Sequence, residues 1–356
     1  MLRCLLCCLA LGALRLFAQE AGSGLNLRET LSGLGVSSNV LSAAPRSASS
    51  FAAGLRSVTY PTWKISANWG VTGAFQFATR PYFYGDFTTA GYGAKGTLLQ
   101  STLNYARASD KGSLLARVGV LSTAFGSFPL RYDDADNPLV DMPPQYGYYY
   151  APVSIAGLPG TQIDGSRGKF DGRLQFVNSS PVNPRSLFAH DQYGNWAGGV
   201  GYTIRQGFRV GVDAFRGPYL DRQFDYFFTG EQNPSTLPAT GIGIDASWAR
   251  AHTSLQFEED RFLMPYTRIP DFRESAGYLE LRQVVNPRWY IAARPTWTDA
   301  SAGGNMRGIE TALGFRPSRS QLIKVDYERN NYTDGPDRNT FSVQWVATLQ
   351  RAFSPR

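Results

Sequence analysis

The sequence predicts an all-β fold: a transmembrane antiparallel up-and-down β-barrel of about 14 strands (12–16), with long extracellular loops and short periplasmic turns. Three observations carry this reading. Apolar and polar side chains alternate with a period of two, the links between alternating segments are by turns short and long, and an export signal precedes them.

The alternation starts at Thr62. Over Lys64–Phe77 one face carries Ile65, Ala67, Trp69, Val71, Phe75 and Phe77, and the other Lys64, Ser66, Asn68, Thr72 and Gln76. The same pattern returns in Phe170–Phe176, in Trp196–Arg205 and in Ile242–Trp248. It appears again in Arg288–Arg294 and in Phe341–Phe353. Strands are expected near 62–79, 95–107, 112–123, 161–168, 170–179, 195–205, 208–217 and 239–249, then near 251–259, 274–284, 288–298, 307–315, 320–330 and 339–353. Links such as Gly168-Lys169 and Gln206-Gly207 alternate strictly with long ones such as Ala124–Gly160 and Pro218–Pro238. A soluble two-sheet sandwich also alternates, but nothing in it collects every long loop at one end.

Composition agrees. The 356 residues hold 37 Gly, 7 Trp, 19 Tyr and 22 Phe with only 18% charged residues, which argues against a disordered chain. Prolines and glycines break the longest charge-free stretch, Met142–Ile163, so no segment reads as a spanning helix. The formal charge of +7 is spread singly among acidic residues and forms no basic run, so no nucleic-acid partner is expected.

Met1-Leu2-Arg3, the apolar run Cys4–Leu14 and Ala18 form a secretory signal, cut near Ala18. All three cysteines (Cys4, Cys7, Cys8) lie inside it, so the exported chain would have no disulfide, zinc–thiolate site or cysteine nucleophile. A lipid anchor on Cys7 or Cys8 competes with this reading, but small residues do not precede them. The expected organisation is a signal peptide over 1–18, a Ser/Ala/Gly-rich periplasmic extension or plug over 19–60, and the barrel over 61–356.

Ala116-Arg117-Val118-Gly119-Val120-Leu121-Ser122-Thr123-Ala124-Phe125-Gly126 resembles the strand of porin-like bacterial outer-membrane proteins that ends in Phe-Gly before a large loop. Thr340–Phe353 resembles the C-terminal strand that barrel-assembly machinery recognises by a final aromatic residue, although Ser354-Pro355-Arg356 follow it here. The resemblance implies a channel in the outer membrane of a Gram-negative cell, in contact with its lipid and lipopolysaccharide, as a monomer or a trimer. It names no substrate.

Fourteen strands enclose more space than side chains fill in an eight-stranded barrel, so a water-filled passage for a small hydrophilic solute is expected. A plugged or gated transporter for a specific, hydrophobic or sugar ligand is the alternative. By alternation, Lys64, Arg117, Arg173, Arg205, Arg209, Arg282, Arg288, Arg294, Arg316 and Lys324 face the lumen. So do Asp171, Asp213, Asp245, Glu258, Glu274, Glu280, Glu310, Asp326 and Glu328, and this balance sets no ion preference.

The longest link, Ala124–Gly160, is the candidate constriction. It carries Arg131, Asp133, Asp134, Asp136, Asp141, Tyr146, Tyr148 and Tyr149. Arg131 against four carboxylates favours a cation or a polar sugar, with tyrosines stacking on sugar rings and carboxylates accepting hydroxyl hydrogen bonds. Asp133, Asp134 and Asp136 do not meet calcium-loop spacing, so no metal or other cofactor is expected. The histidines, His190 and His252, are too few and badly placed for catalysis, and no phosphate loop or dinucleotide fingerprint occurs, so no enzyme is expected.

Overall fold

A computed structural model describes residues 24–39, 51–80, 82, 93–146, 153–178, 194–218, 237–301 and 303–353. The signal segment, Tyr148, Tyr149, His190 and most of the loop after Pro218 lie outside these residues.

Sixteen described strands close into one antiparallel barrel, each paired with its chain neighbours, and the first pairs with the last. They are β1 Gly24–Ser38, β2 Phe51–Lys64, β3 Trp69–Arg80, β4 Gly93–Ser109, β5 Gly112–Leu121, β6 Leu158–Arg167, β7 Phe170–Val177 and β8 Asn195–Arg205. There follow β9 Phe208–Pro218, β10 Pro238–Arg250, β11 Thr253–Met264, β12 Phe272–Val284, β13 Trp289–Ala300, β14 Met306–Ser318, β15 Gln321–Tyr332 and β16 Arg338–Phe353. Sixteen is the upper end of the expected range.

Closure leaves no sheet edge, and the two side-chain faces meet different surroundings. On β10, Ile242 (65% exposed) and Ile244 point out while Asp245 is buried inside; on β16, Phe341, Val343 and Trp345 point out while Ser342 and Gln344 are buried. Such a continuous apolar outer surface is untenable in water and suits a lipid bilayer. Leu25, at the start of β1, pairs with Phe353 at the end of β16 and with Trp63 at the end of β2. This places the first and last strand ends on the rim with the short turns.

Two sequence expectations change. Residues 19–60 contain no plug among the described residues: Gly24–Ser38 and Phe51–Lys64 are wall strands. Their period-two pattern is faint because Gly33 and Gly35 stand at outward positions where a large apolar residue would mark the face, and Ala53 and Ser57 fill others. The expected strand 62–79 is in fact the end of β2, a tight turn and nearly all of β3. The Ile65 and Ser66 amides both donate to the Trp69 carbonyl (3.0 and 3.1 Å), and the Trp69 amide donates to Ser66 Oγ. That turn contains no Gly or Pro, and Ile65 and Ala67 keep the outward parity across it, which hides it in the sequence.

Deleting residues 24–64 should therefore abolish the folded barrel. Heat-modifiable gel migration, present in the full-length chain, should be lost in the deletion; a deletion that stays heat-modifiable and conducts would restore the plug reading.

Candidate functional site

The long link after β5 turns into the barrel at the Phe-Gly pair. Gly126 has φ +77, and a Cβ there would collide with the Tyr146 hydroxyl and the Glu258 carboxylate. Phe125, fully buried, meets Phe215 of β9 edge-on (centroids 5.0 Å, 86°) and packs against Phe262 of β11. From β7, Arg173 donates to the Gly126 carbonyl (2.8 Å) and Gln175 to the Ser122 carbonyl (2.7 Å). The segment then continues through short 3-10 turns at Phe128–Arg131 and Pro144–Tyr146, and returns where the Gly157 amide donates to the Leu99 carbonyl of β4 (3.0 Å).

Between those points the wall satisfies the loop group by group. Glu258 on β11 accepts hydrogen bonds from the Ser127 amide and hydroxyl, the Tyr278 hydroxyl and the Tyr146 hydroxyl. Arg131 pairs with Glu280 of β12 and donates to the Tyr278 hydroxyl (2.9 Å). Arg294 of β13 binds Glu310 and Glu280 and donates to the Asp141 carbonyl (2.6 Å). Glu310 of β14 accepts the Val140 and Asp141 amides (3.1 and 2.8 Å). Lys324 of β15, wholly buried, donates to the Asp134 and Leu139 carbonyls (2.7 and 2.9 Å), and the Tyr290 hydroxyl donates to the Pro138 carbonyl.

On the opposite side Arg56 of β2 pairs with Asp134 at 2.8 Å, donates to Gln76 of β3 and lies 4.3 Å from the Tyr132 ring centroid. The Tyr82 hydroxyl also donates to Asp134, at 2.8 Å. Arg28 of β1 meets Asp136 at 3.1 Å and Asp133 at 3.5 Å. The loop thus touches strands around most of the circumference.

These partners change what the loop carboxylates can do. Asp133, Asp134 and Asp136 face wall arginines, and the Asp141 carboxylate accepts the Met142 amide (2.8 Å). Three of the four carboxylates expected to attract a cation or sugar are thus paired with arginines. Among the described residues no group of three or more acidic, histidine or cysteine side chains is placed to hold a metal ion. Tyr146 is buried against Phe128 and engaged by Glu258, so it offers no free face to a sugar ring.

The other lumen charges form ladders across the wall. Arg117 pairs with Asp164 (2.6 Å), Arg173 with Asp213 (2.7 Å), and Arg209 bridges Asp171 and Asp245 (2.7 and 2.6 Å). Arg316 sits on the inward parity of β14 near the short-turn rim, in no ion pair among the described residues. Arg28, Arg56 and Tyr82 do not appear among the residues singled out from the sequence. Arg28 and Arg56 fall in the segment read as an extension, and no local pattern announces a partner 78 to 108 positions away.

Burial alone would raise the Asp134 carboxyl, but Arg56 and Lys324 outweigh it and hold it below the usual carboxylate range. A carboxyl lowered in the docked state favours docking at all pH above its undocked value and loses that contribution as pH falls through the docked one. Loop docking should therefore be insensitive to pH from neutrality to about 5 and weaken below about 4. Asp134→Asn should destabilise the docked loop by about 3 kcal/mol at neutral pH, because it leaves Arg56 buried without a counter-charge. Protease nicking of the loop in the folded protein checks both: it should rise in acid for the wild type and be high at pH 7 in the variant.

No family model matches the chain, and no curated protein matches it. Solved structures do match in shape. The chain superposes on an anion-selective porin from Comamonas acidovorans with a TM-score of 0.63 at 11% identity, covering 92% of this chain and 100% of that one. It matches OmpF of Salmonella typhi, solved with daunomycin, at 0.60 and 12% identity over 92% and 98% of the two chains. The outer membrane channel DcaP of Acinetobacter baumannii gives 0.60 at 9% identity over 94% and 99%. With its closed antiparallel wall and outward apolar face, the chain has the fold of the porin-like outer-membrane β-barrels.

Proposed function

We propose that the protein is an outer-membrane channel through which small hydrophilic solutes diffuse passively, with loop 124–160 as its constriction. The observation that carries this is the inward fold of that loop, bonded to the wall from β2 across to β11. Beside it lies a lumen cavity of about 440 Å³, lined by Asn26, Arg28, Tyr60, Gln100, Asn104 and Arg117 among others. Hydroxyls and amides there accept and donate hydrogen bonds, and the two arginines already face carboxylates (Arg28 with Asp133 and Asp136, Arg117 with Asp164), which suits neutral polar solutes. The wall's arginines are mostly spent on carboxylates and on the loop, so charge selectivity is weak. Cleavage of the export signal near Ala18 and recognition of the strand ending at Phe353 by assembly machinery belong to the same reading.

A gated channel is the second reading, favoured by the number of buried bonds that hold the loop across the lumen. Planar-bilayer conductance of the wild type beside a variant lacking residues 132–141 separates the two. Passive diffusion gives small, steady, ohmic openings in the wild type and several-fold larger ones in the variant. A wild type that stays silent while the variant conducts makes the loop a gate. Silence in both, with folded barrels, removes the channel reading.

A further inference from the structure

Most inward arginines meet a carboxylate, but two near the short-turn rim do not. Arg282 of β12 and Arg316 of β14 stand at inward positions on the two strands that flank β13, with Tyr290 of β13 between them. The guanidinium of Arg282 lies over the Tyr290 ring, 4.7 Å from its centroid. That ring in turn covers Gly314 of β14, directly opposite Tyr290, where a Cβ would collide with it. Its hydroxyl donates to the Pro138 carbonyl (2.9 Å). Tyr290 is therefore a fixed platform, and it holds Arg282 in one orientation. The Arg316 amide donates to the Arg288 carbonyl (2.8 Å), and the charge on Arg316 is close enough to repel that on Arg282. Arg288, in the turn before β13, adds a third positive charge at this rim.

The carboxylates within range belong to other arginines. Glu280, two positions deeper on β12, pairs with Arg131 and Arg294. Asp136 of the loop, whose field also reaches Arg282, is held by Arg28. Asp326 of β15 stands opposite Ala312, and Lys324, opposite Gly314, lies between it and the rim. Among the described residues neither Arg282 nor Arg316 has a carboxylate partner, and Arg282 Nε is shut off from solvent with no acceptor.

An oxyanion set between the two guanidiniums removes their repulsion and fills the empty donor at once. A guanidinium stacked on a ring keeps its N–H groups in plane at its edge, where carboxylate and phosphate oxygens bind in pairs. The position is on the lumen face and nearer the short-turn rim than Glu280 and Glu310, so it meets solutes rather than membrane lipid. We infer that Arg282 and Arg316 form an oxyanion site at the inner mouth, which takes the carboxylate or phosphate group of a small solute. The inference rests on the channel reading, which opens this lumen to solutes. Because the site lies at the mouth and not in the constriction, it prolongs the stay of an anion there and leaves small-ion selectivity weak.

The test is phosphorus NMR of pyrophosphate with the full-length protein in an uncharged detergent. The wild type should broaden the pyrophosphate line, excess citrate should sharpen it again by competition, and excess sucrose should not. The R282Q/R316Q double variant should bind pyrophosphate at least tenfold more weakly. R319Q, which removes an exposed charge from the adjoining turn, should bind as the wild type does. R316Q alone removes a side chain with no hydrogen bond or ion pair among the described residues; it should lose at least threefold, and it decides the matter if the double variant does not fold. No broadening by the wild type, no displacement by citrate, or undiminished binding by the folded variants overturns the inference. An equal loss in R319Q overturns it too, by showing diffuse rim charge. Conductance in potassium chloride reads the channel separately: its absence with pyrophosphate binding intact removes the channel reading alone, and its presence without binding removes this inference alone.

Discussion

The constraint on which the rest of the structure depends is that a long loop inside a barrel must find partners for its own backbone. A helix or strand satisfies its amides and carbonyls internally, while irregular chain in a confined space leaves them costly unless the surroundings supply donors and acceptors. Here the wall supplies them. Lys324 and Arg294 take the carbonyls of Asp134, Leu139 and Asp141, and Tyr290 takes that of Pro138. Glu310 and Glu258 take the amides of Val140, Asp141 and Ser127. Much of the buried charge on β11–β15 is thus explained by the loop it holds.

That use of charge has a consequence for transport. On the proposed channel reading, each charge pinned to the loop or to a neighbour contributes little field along the passage, so size and hydrogen bonding would sort solutes more than sign does. Breaking one such contact costs more than the contact contributes to folding, because the abandoned partner stays buried. The network therefore fixes where the loop lies better than it adds stability. Apolar packing assists: Leu139 sits with Tyr290, Ala292, Leu322 and Val346, while Phe125, Phe128 and Tyr146 join Phe215 and Phe262.

Much of the wall was legible in the sequence because lipid on one side and water on the other impose a period of two, and because turns and loops differ in length by rim. Strands with Ile, Trp, Phe or Val on the outward face, such as β10 and β16, show that pattern plainly. β1 and β2 do not, since Gly33, Gly35 and Ser57 face out, and the pairing of β1 with β16 comes only from closure. The loop 124–160 stood out by length and by its charges. Which charges it meets was not legible: Arg131 finds Glu280, and Asp134 finds Arg56, through a three-dimensional course that no spacing rule encodes. Asp133, Asp134 and Asp136, which look like a cation site in sequence, are salt-bridge partners in the fold.

The central claim is that the loop lies across the lumen against the wall, and a cross-link reads this most directly. No cysteine occurs beyond Cys8, so Leu139→Cys with Leu322→Cys gives an isolated pair at two side chains buried in one cluster. In intact outer membranes a short bismaleimide should join the two introduced thiols efficiently, and a membrane-impermeant maleimide added from outside should label the loop thiol of the Leu139→Cys single variant poorly. Rapid external labelling of that loop thiol, with no cross-link in the double variant, would place the loop outside the lumen and contradict the account.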